Sequence, residues 1–206
     1  MRHALAALVS LALLVPVATS AQFSISGDAA AGRRKAEACV PCHGPRGKST
    51  RPDAPSLAGQ VPLYTYFQLF QFRAGRRQNA EMAPAVASLS DQDMQDLAAY
   101  FASEPASPRH EAFDETKAAA GRLASNAHAC EGCHRPGFAG YQHVPRLTGL
   151  SREYVVAQLR GYKAQTRADY DGAMTGTAQP LSDRDIENLG HYVSAVATTA
   201  PAESSN

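Results

Sequence analysis

The chain has 206 residues, of which 44% are hydrophobic and 19% are charged, an ordinary composition for a folded globular protein. This composition excludes an intrinsically disordered chain and a collagen-like chain. The 20 Lys and Arg residues nearly balance the 19 Asp and Glu residues, so there is no electrostatic sign of nucleic-acid binding.

The first segment has the pattern of an export signal. Arg2 and His3 precede an uncharged apolar run from Ala4 to Val17, and small residues follow up to Ala21. The run of fourteen residues is shorter than the roughly twenty that a membrane-spanning helix needs. A cleaved signal peptide at 1–21 is therefore predicted in preference to an anchor, and the mature protein is expected to associate with a membrane at most peripherally.

The rest of the chain contains two similar halves, in which corresponding motifs recur at separations of 90 to 92 residues. The matching pairs are Cys39–His43 with Cys130–His134, Pro55–Gly59 with Pro145–Gly149, Met82 with Met174, and Leu89–Asp91 with Leu181–Asp183. Pro105 and Pro108 lie between the halves, and prolines interrupt regular structure. The sequence therefore predicts one unit at 22–104, a linker at 105–116 and a second unit at 117–200.

Each half has a helical pattern. Ser90 and Ser182 each precede an Asp by three residues, which predicts a capping box at a helix start. Pro62 and Gly75 bracket another predicted helix. Apolar residues at helical spacing predict buried faces, formed by Met94, Leu97 and Phe101 in one half and by Ile186, Leu189 and Val193 in the other. No segment alternates as a strand would, so an all-α fold is expected, with thin cores of the kind that a bound group commonly stabilises.

The two Cys-x-x-Cys-His motifs are typical of covalent haem c attachment, in which two thiols add to the porphyrin vinyl groups and the histidine ligates the iron. Residues three and four apart share one side of a helix, so one helical turn can present all three groups to one macrocycle. The residues predicted to hold two haem c groups in this way are Cys39, Cys42 and His43, and Cys130, Cys133 and His134. Three alternatives are weaker: a thioredoxin-like dithiol lacks its βαβ context, structural zinc lacks further ligands, and a disulfide does not explain the histidines.

The sixth iron ligand is predicted to be methionine. Met82 and Met174 are counterparts in the duplication, whereas Met94 corresponds to Ile186 on the predicted buried face and is expected in the core. The other histidines of the mature chain have no histidine counterpart in the opposite half. With both axial positions filled, the remaining chemistry is one-electron exchange, and a thioether ligand raises the reduction potential.

Two further sets of residues are candidates for a supporting role. The carbonyls of Pro55 and Pro145 lie at the right spacing to accept from the outer nitrogen of the haem histidines, although turn prolines would have the same spacing. Several polar residues between the proline and methionine motifs are either haem propionate donors or solvated surface groups. They are Tyr64, Arg73, Arg76, Arg77, Tyr154, Lys163 and Arg167.

Together, the export signal, the tandem Cys-x-x-Cys-His and Pro-x-Leu-x-Gly motifs, the distal methionines and the Leu-Ser-Asp helices resemble the two-haem cytochrome c4 family. The resemblance implies two tandem all-α cytochrome c domains related by pseudo-two-fold symmetry. It implies that His43 and Met82 hold one iron and that His134 and Met174 hold the other. The implied role is periplasmic electron transfer, without enzymatic activity, from a cytochrome bc complex or similar donor to a haem-copper oxidase.

A dehydrogenase subunit and a two-haem peroxidase are the two alternative functions. Related two-domain cytochromes accept electrons as subunits of dehydrogenases, such as a flavocytochrome sulfide dehydrogenase, and the sequence separates this role only weakly from a free carrier. A two-haem peroxidase is disfavoured because both halves keep a methionine. The tract from Arg135 to Val144 has no equivalent in the first half, so the two haem environments are expected to differ.

Overall fold

A computed structural model describes residues 24–106 and 112–196. The predicted signal peptide, residues 107–111 of the predicted linker and the predicted end of the second unit at 197–200 lie outside these ranges. Within them the regular structure is helical apart from one isolated bridge between Tyr141 and Val144, which confirms the all-α fold class. No helix in these ranges has the length and apolarity to cross a bilayer.

The described part of the first half forms α-helices of very different lengths, because Gly- and Pro-rich connections interrupt it. The α-helices are α1 (Ala29–Lys35), α2 (Val40–His43), α3 (Pro62–Arg73), α4 (Met82–Val86) and α5 (Asp91–Ser103). Short 3-10 turns at Ala36–Cys39 and Pro45–Gly47 flank α2. The motif that carries Cys39, Cys42 and His43 thus lies on one tight helical segment.

The second half repeats this order. Its described helices are α6 (Glu115–Ala127), α7 (Cys130–His134), α8 (Arg152–Lys163), α9 (Ala173–Ala178) and α10 (Asp183–Ala195), with a 3-10 turn at Pro136–Phe138. Helix α6 begins at Glu115, two residues before the predicted start of the second unit at 117, because Asp114 caps it by accepting from the backbone N–H of Lys117. The predicted duplication is therefore also a duplication of helices.

The predicted helix starts and ends are confirmed. The Ser90 hydroxyl accepts from the Asp93 amide at 3.1 Å, and the Asp93 carboxylate accepts from the Ser90 amide at 2.9 Å. The same reciprocal pair caps α10. Pro62 is the first residue of α3, and Gly75 follows its end with φ +68°, a conformation that glycine adopts without strain.

Each half is held together by its first and last long helices, α1 with α5 and α6 with α10, which cross closely at glycine. A Cβ at Gly32 would lie 2.0 Å from the carbonyl oxygen of Asp96, and a Cβ at Gly121 would lie 2.1 Å from that of Asn188. Met94 is fully buried in the first core, as predicted. This packing leaves His43 of α2 and His134 of α7 buried in the interior of each half.

The buried Asp96 carboxylate makes the stability of the first half depend on pH. It accepts from the Asp28 amide at 2.8 Å, from Gln92 at 2.8 Å and from the Lys35 ammonium at 2.5 Å. The hydrogen bond from Lys35 is the largest cause that lowers the pKa of Asp96. The folded pKa therefore lies below the unfolded value of about 3.9, so this stabilisation is complete above the unfolded value and is lost as the pH falls from there through the folded pKa.

We expect Asp96→Asn to weaken the dependence of unfolding free energy on pH in acid. The second half has the neutral Asn188 at the equivalent position, so the effect belongs to the first half alone. Denaturant titrations of both proteins at about pH 7 and about pH 3 measure it. If the unfolding free energy of the variant falls with decreasing pH as steeply as that of the wild type, the assignment is contradicted.

Candidate haem sites

The two motif histidines are held in the same way. His43 and His134 are buried, with Nδ1 at 2.8 Å from the Pro55 carbonyl oxygen and at 2.9 Å from the Pro145 carbonyl oxygen. A carbonyl only accepts, so Nδ1 carries the proton and Nε2 is left with a free lone pair. Burial is the largest cause that lowers the pKa of both imidazoles, which keeps them neutral. Of the two roles that the sequence left open for these prolines, the structure shows the hydrogen bond to the histidine, and each ring presents Nε2 as a metal ligand.

All four cysteines of the chain are free thiols. Burial raises the pKa of the Cys39 and Cys130 thiols, so both stay protonated at neutral pH. Neither Cys-x-x-Cys pair forms the disulfide of the alternative interpretation. The described residues also contain no group of three His, Cys, Asp or Glu side chains placed to hold a metal ion, so that part of the chain offers no ligand set for structural zinc.

A cavity of about 370 Å³ lies against α2 in the first half. Cys39, Cys42 and His43 line it together with Met82, the first residue of α4. Apolar side chains form much of its remaining wall, namely Leu57, Leu69, Phe72, Leu97 and Phe101. The structure therefore brings the predicted thiols, imidazole and thioether of the first half to one cavity, whose wall is largely apolar.

Met174 occupies the equivalent place in the second half, in the first turn of α9. Its backbone N–H donates to the Asp169 carboxylate at 2.6 Å, as that of Met82 donates to the Asn79 side chain at 2.8 Å. Met174 is partly buried and packs against the cluster that contains Tyr162. The two methionines thus share a local framework, while Met94 is confirmed as core.

The sequence did not single out Arg51, which lies at the edge of the first cavity. Its guanidinium contacts Cys42 Sγ at 3.3 Å and pairs with Asp53 at 2.6 Å and Glu81 at 3.3 Å. Arg51 lies between the Cys-x-x-Cys-His and Pro-x-Leu-x-Gly motifs, where the two halves have no clear equivalence, so the duplication offered no signal for this arginine. It links the Cys42 segment to the residue before Met82.

A paired network joins the two halves beside the first cavity. Arg77 Nη2 donates to Tyr154 Oη at 3.1 Å and to Gln158 Oε1 at 2.9 Å, both in the second half. Arg167 Nη2 donates in return to Tyr64 Oη at 3.2 Å in the first half. Arg77 and Arg167 are equivalent residues, so the network follows the pseudo-two-fold relation between the halves.

The partners of both guanidinium groups among the described residues are neutral amide and phenol oxygens. Arg77 and Arg167 are each only 8% exposed, and Arg167 Nε is buried without a hydrogen-bond partner. Buried charges are costly unless a counter-charge or a full set of hydrogen bonds compensates them. Both arginines line the cavity. The carboxylates of a bound haem would therefore supply the counter-charges that these two buried guanidinium groups lack. Apolar walls, thiols, imidazole, thioether and cations together fit a haem.

Three of the candidate residues, for which the sequence left a propionate contact and a surface role both open, make local contacts instead. Arg73 donates to the Leu89 carbonyl at 2.6 Å, and Lys163 donates to the equivalent Leu181 carbonyl. Arg76 is exposed, with its guanidinium 5.9 Å from the Phe70 ring centre. Arg73 and Lys163 tie their helix ends to the loop before α5 or α10, and Arg73 also pairs with the Asp91 carboxylate at 2.5 Å.

A second contact between the halves has no counterpart in the duplication. The Gln60 side chain donates to the Arg146 carbonyl at 2.9 Å and accepts from the Arg146 amide at 2.8 Å. The Arg146 guanidinium reaches the carbonyls of Ala58 at 2.6 Å and Gly59 at 3.1 Å. Burial lowers the pKa of Arg146 to about 10. Arg146 follows Pro145, so this contact fixes the segment that orients His134.

The comparisons with known proteins agree with this architecture. A family model described as Cytochrome c matches residues 29–104. Cytochrome c4 of Pseudomonas aeruginosa is 37% identical over 191 residues, which cover 88% of this chain and 94% of that protein. The chain belongs to the cytochrome c4 family.

The chain is also similar to a solved structure and to an electron acceptor. The crystal structure of reduced recombinant cytochrome c4 from Pseudomonas stutzeri superposes with a TM-score of 0.78 at 34% identity, covering 84% of this chain and all of that one. A thiosulfate dehydrogenase electron acceptor of Stutzerimonas stutzeri is 35% identical over 173 residues, covering 78% of this chain and 80% of that protein. As a member of the cytochrome c4 family, this chain is an electron-transfer protein with covalently bound haem c, and its tandem domains fit two haems.

Proposed function

We propose that this cytochrome c4 is a periplasmic carrier, exported by the signal at 1–21, that takes electrons from a cytochrome bc complex and delivers them to a haem-copper oxidase. The observation that carries the proposal is the network of Arg77 and Arg167, which joins two equivalent halves at the edge of a haem cavity. A protein with a single electron-transfer site does not need an interface of this kind between two equivalent domains. Two sites that meet at a common interface can pass an electron from one half to the other.

The proposed attachment repeats in both halves. The residues proposed to hold the two haem c groups are Cys39, Cys42, His43 and Met82 in the first half, and Cys130, Cys133, His134 and Met174 in the second. A bound haem supplies one-electron exchange between ferric and ferrous iron. The histidines would hold the iron through Nε2 and the methionines through their thioether sulfur, while apolar side chains line much of the first cavity. With both ligands supplied by the chain, the group would serve electron exchange rather than substrate binding.

The arginine network has an electrostatic role in this proposal. Arg77 and Arg167 each extend from one half toward the other and line the first cavity, so their charges would act on the carboxylates of a haem bound there. A nearby positive charge stabilises the ferrous iron, which carries one positive charge less than the ferric iron. The network therefore keeps the first haem easier to reduce.

We expect Arg167→Leu to lower the reduction potential of the first haem, on the order of tens of millivolts for one charge lost near a buried site. Arg76→Leu is the matched control, because it removes the same charge from an exposed position outside the cavity lining. Potentiometric titration with optical detection measures both variants. Equal potentials in Arg167→Leu and Arg76→Leu would contradict the assigned role.

The carrier function is tested with the purified mature protein. A pyridine haemochrome spectrum should show two haems c per chain. Rapid mixing should then show reduction of both haems by a quinol and cytochrome bc complex, and reoxidation by a haem-copper oxidase. Fewer than two haems c, or no exchange with both partners at useful rates, would refute the proposal.

A second candidate is the electron-accepting subunit of a dehydrogenase, of which a flavocytochrome sulfide dehydrogenase is one example. It is favoured by the similarity to the thiosulfate dehydrogenase electron acceptor, which extends over most of both chains. Purification from the native membrane-free extract separates the two functions. A stable stoichiometric complex with a catalytic subunit supports the second candidate, and a monomer that reduces the oxidase supports the first.

A further inference from the structure

The loop before Met174 differs from the loop before Met82. The shift between the halves is 90 residues at Arg77 and Arg167 but 92 residues at the two methionines, so the second loop contains two additional residues. This longer loop contains Tyr170, whose ring stacks on Phe67 of α3 in the first half. The ring centres are 4.3 Å apart, and the planes are inclined by 21°.

Other contacts also hold this loop. Arg167, at its start, donates to Tyr64 in the first half at 3.2 Å. His143 lies 5.8 Å from the Tyr170 ring, centre to centre, and its Nε2 is 3.1 Å from the Asp171 carboxylate. Asp169 accepts from the Met174 amide. The segment that carries Met174 is therefore fixed at several points, and two of these lie across the domain interface.

The loop of the first half shares one interface contact, from Arg77 at its start to Tyr154 and Gln158, and beyond it is held by contacts within its own half. Asn79 accepts from the amides of Met82 and Glu81, and Arg51 pairs with the Glu81 carboxylate. At the shift of 90 residues, Ala80 stands in place of Tyr170 and Ala157 in place of Phe67. The first half therefore lacks the side chains for a reciprocal stack, and its loop has no equivalent of this contact.

We infer that Tyr170 is a positioning residue for the second iron ligand: it holds the Met174 loop against Phe67, so ligation in the second half depends on the docking of the two halves. Ligation in the first half does not depend on such a stack. The inference rests on the proposed ligation of the second iron by Met174. Loops with few buried contacts open locally, and the stack opposes that opening from the neighbouring domain.

The first test is Tyr170→Ala. Cyanide should bind to the second haem about three- to tenfold more tightly, the factor expected when one stacked aromatic pair is lost. The methyl proton resonance of iron-bound Met174 in the reduced protein should broaden, while that of Met82 stays sharp. Tyr170 is 61% exposed, so the substitution leaves the core intact. Tyr141→Ala is the matched control, because Tyr141 is also exposed but packs on Arg135 of its own half.

Phe67→Ala gives the diagnostic result, because Phe67 belongs to the other domain. It should weaken ligation of the second haem as Tyr170→Ala does, and the double variant should show less than the sum of the two effects. Three results would each overturn the inference. Tyr170→Ala binds cyanide as the wild type does, Tyr141→Ala gains the same cyanide affinity as Tyr170→Ala, or Phe67→Ala affects the first haem alone.

Met174→Ala distinguishes this failure from failure of the ligand assignment. If Met174→Ala leaves the cyanide affinity and the methyl resonances unchanged, Met174 is not the ligand and the proposed function fails at this residue. If Met174→Ala opens the second iron and Tyr170→Ala does not, the ligand is correct and only the positioning role is refuted.

Discussion

Replacing Met82 or Met174 with alanine should lower the reduction potential of one haem and leave the other near its original value. The neutral, polarisable thioether favours ferrous iron, so its loss favours the ferric state. The expected fall is on the order of 100 mV, a fraction of the about 0.8 V over which axial ligands set haem potentials. Each variant should also bind cyanide or carbon monoxide at a single haem, because one axial position is vacated.

Met94→Leu is the matched control for both methionine variants. Met94 is fully buried in the first core, where its exchange for leucine changes the volume little and should cost less than about 1.5 kcal/mol. A redox titration with detection of the iron–methionine charge-transfer band separates the three proteins. The assignment of Met82 or Met174 is wrong if its variant keeps both potentials and the full band.

The second large effect is expected from Gly121→Ala, at the crossing of α6 and α10. The new Cβ would lie 2.1 Å from the carbonyl oxygen of Asn188 and 2.8 Å from the Tyr192 Cβ, so the two helices must separate. Overpacking of this kind costs about 3 kcal/mol, well above the about 1 kcal/mol that the helix propensity of alanine returns. The free energy of unfolding should fall by the difference or more.

Gly132→Ala is the control for this substitution. Gly132 is an exposed residue of α7 with nothing within 4 Å of its added Cβ. Its replacement should leave the free energy of unfolding within about 1 kcal/mol of the wild type. Denaturant titration followed by circular dichroism measures both variants, and equal midpoints would show that the helix crossing tolerates a methyl group.

Features set by local spacing were predictable from the sequence. The capping boxes at Ser90 and Ser182 need only a Ser and an Asp three residues apart, and both form. The bonds from His43 and His134 to proline carbonyls likewise join residues that are 12 and 11 positions apart. The duplication supplied a comparison that local patterns do not contain. Met94 was assigned to the core because its counterpart in the second half is Ile186.

The sequence by itself therefore determined the helices, the attachment motifs, the orientation of the histidines and the family. Only the tertiary structure decided which arginines face the haem cavity, because Arg77 and Tyr154 are 77 residues apart and no periodicity relates them. Arg73, Arg76 and Arg77 are close neighbours in sequence, yet only Arg77 points into the interface. The contact of Tyr170 with Phe67 was hidden for the same reason: a duplication shows which residues are equivalent, while the docking of the two halves fixes which of them meet.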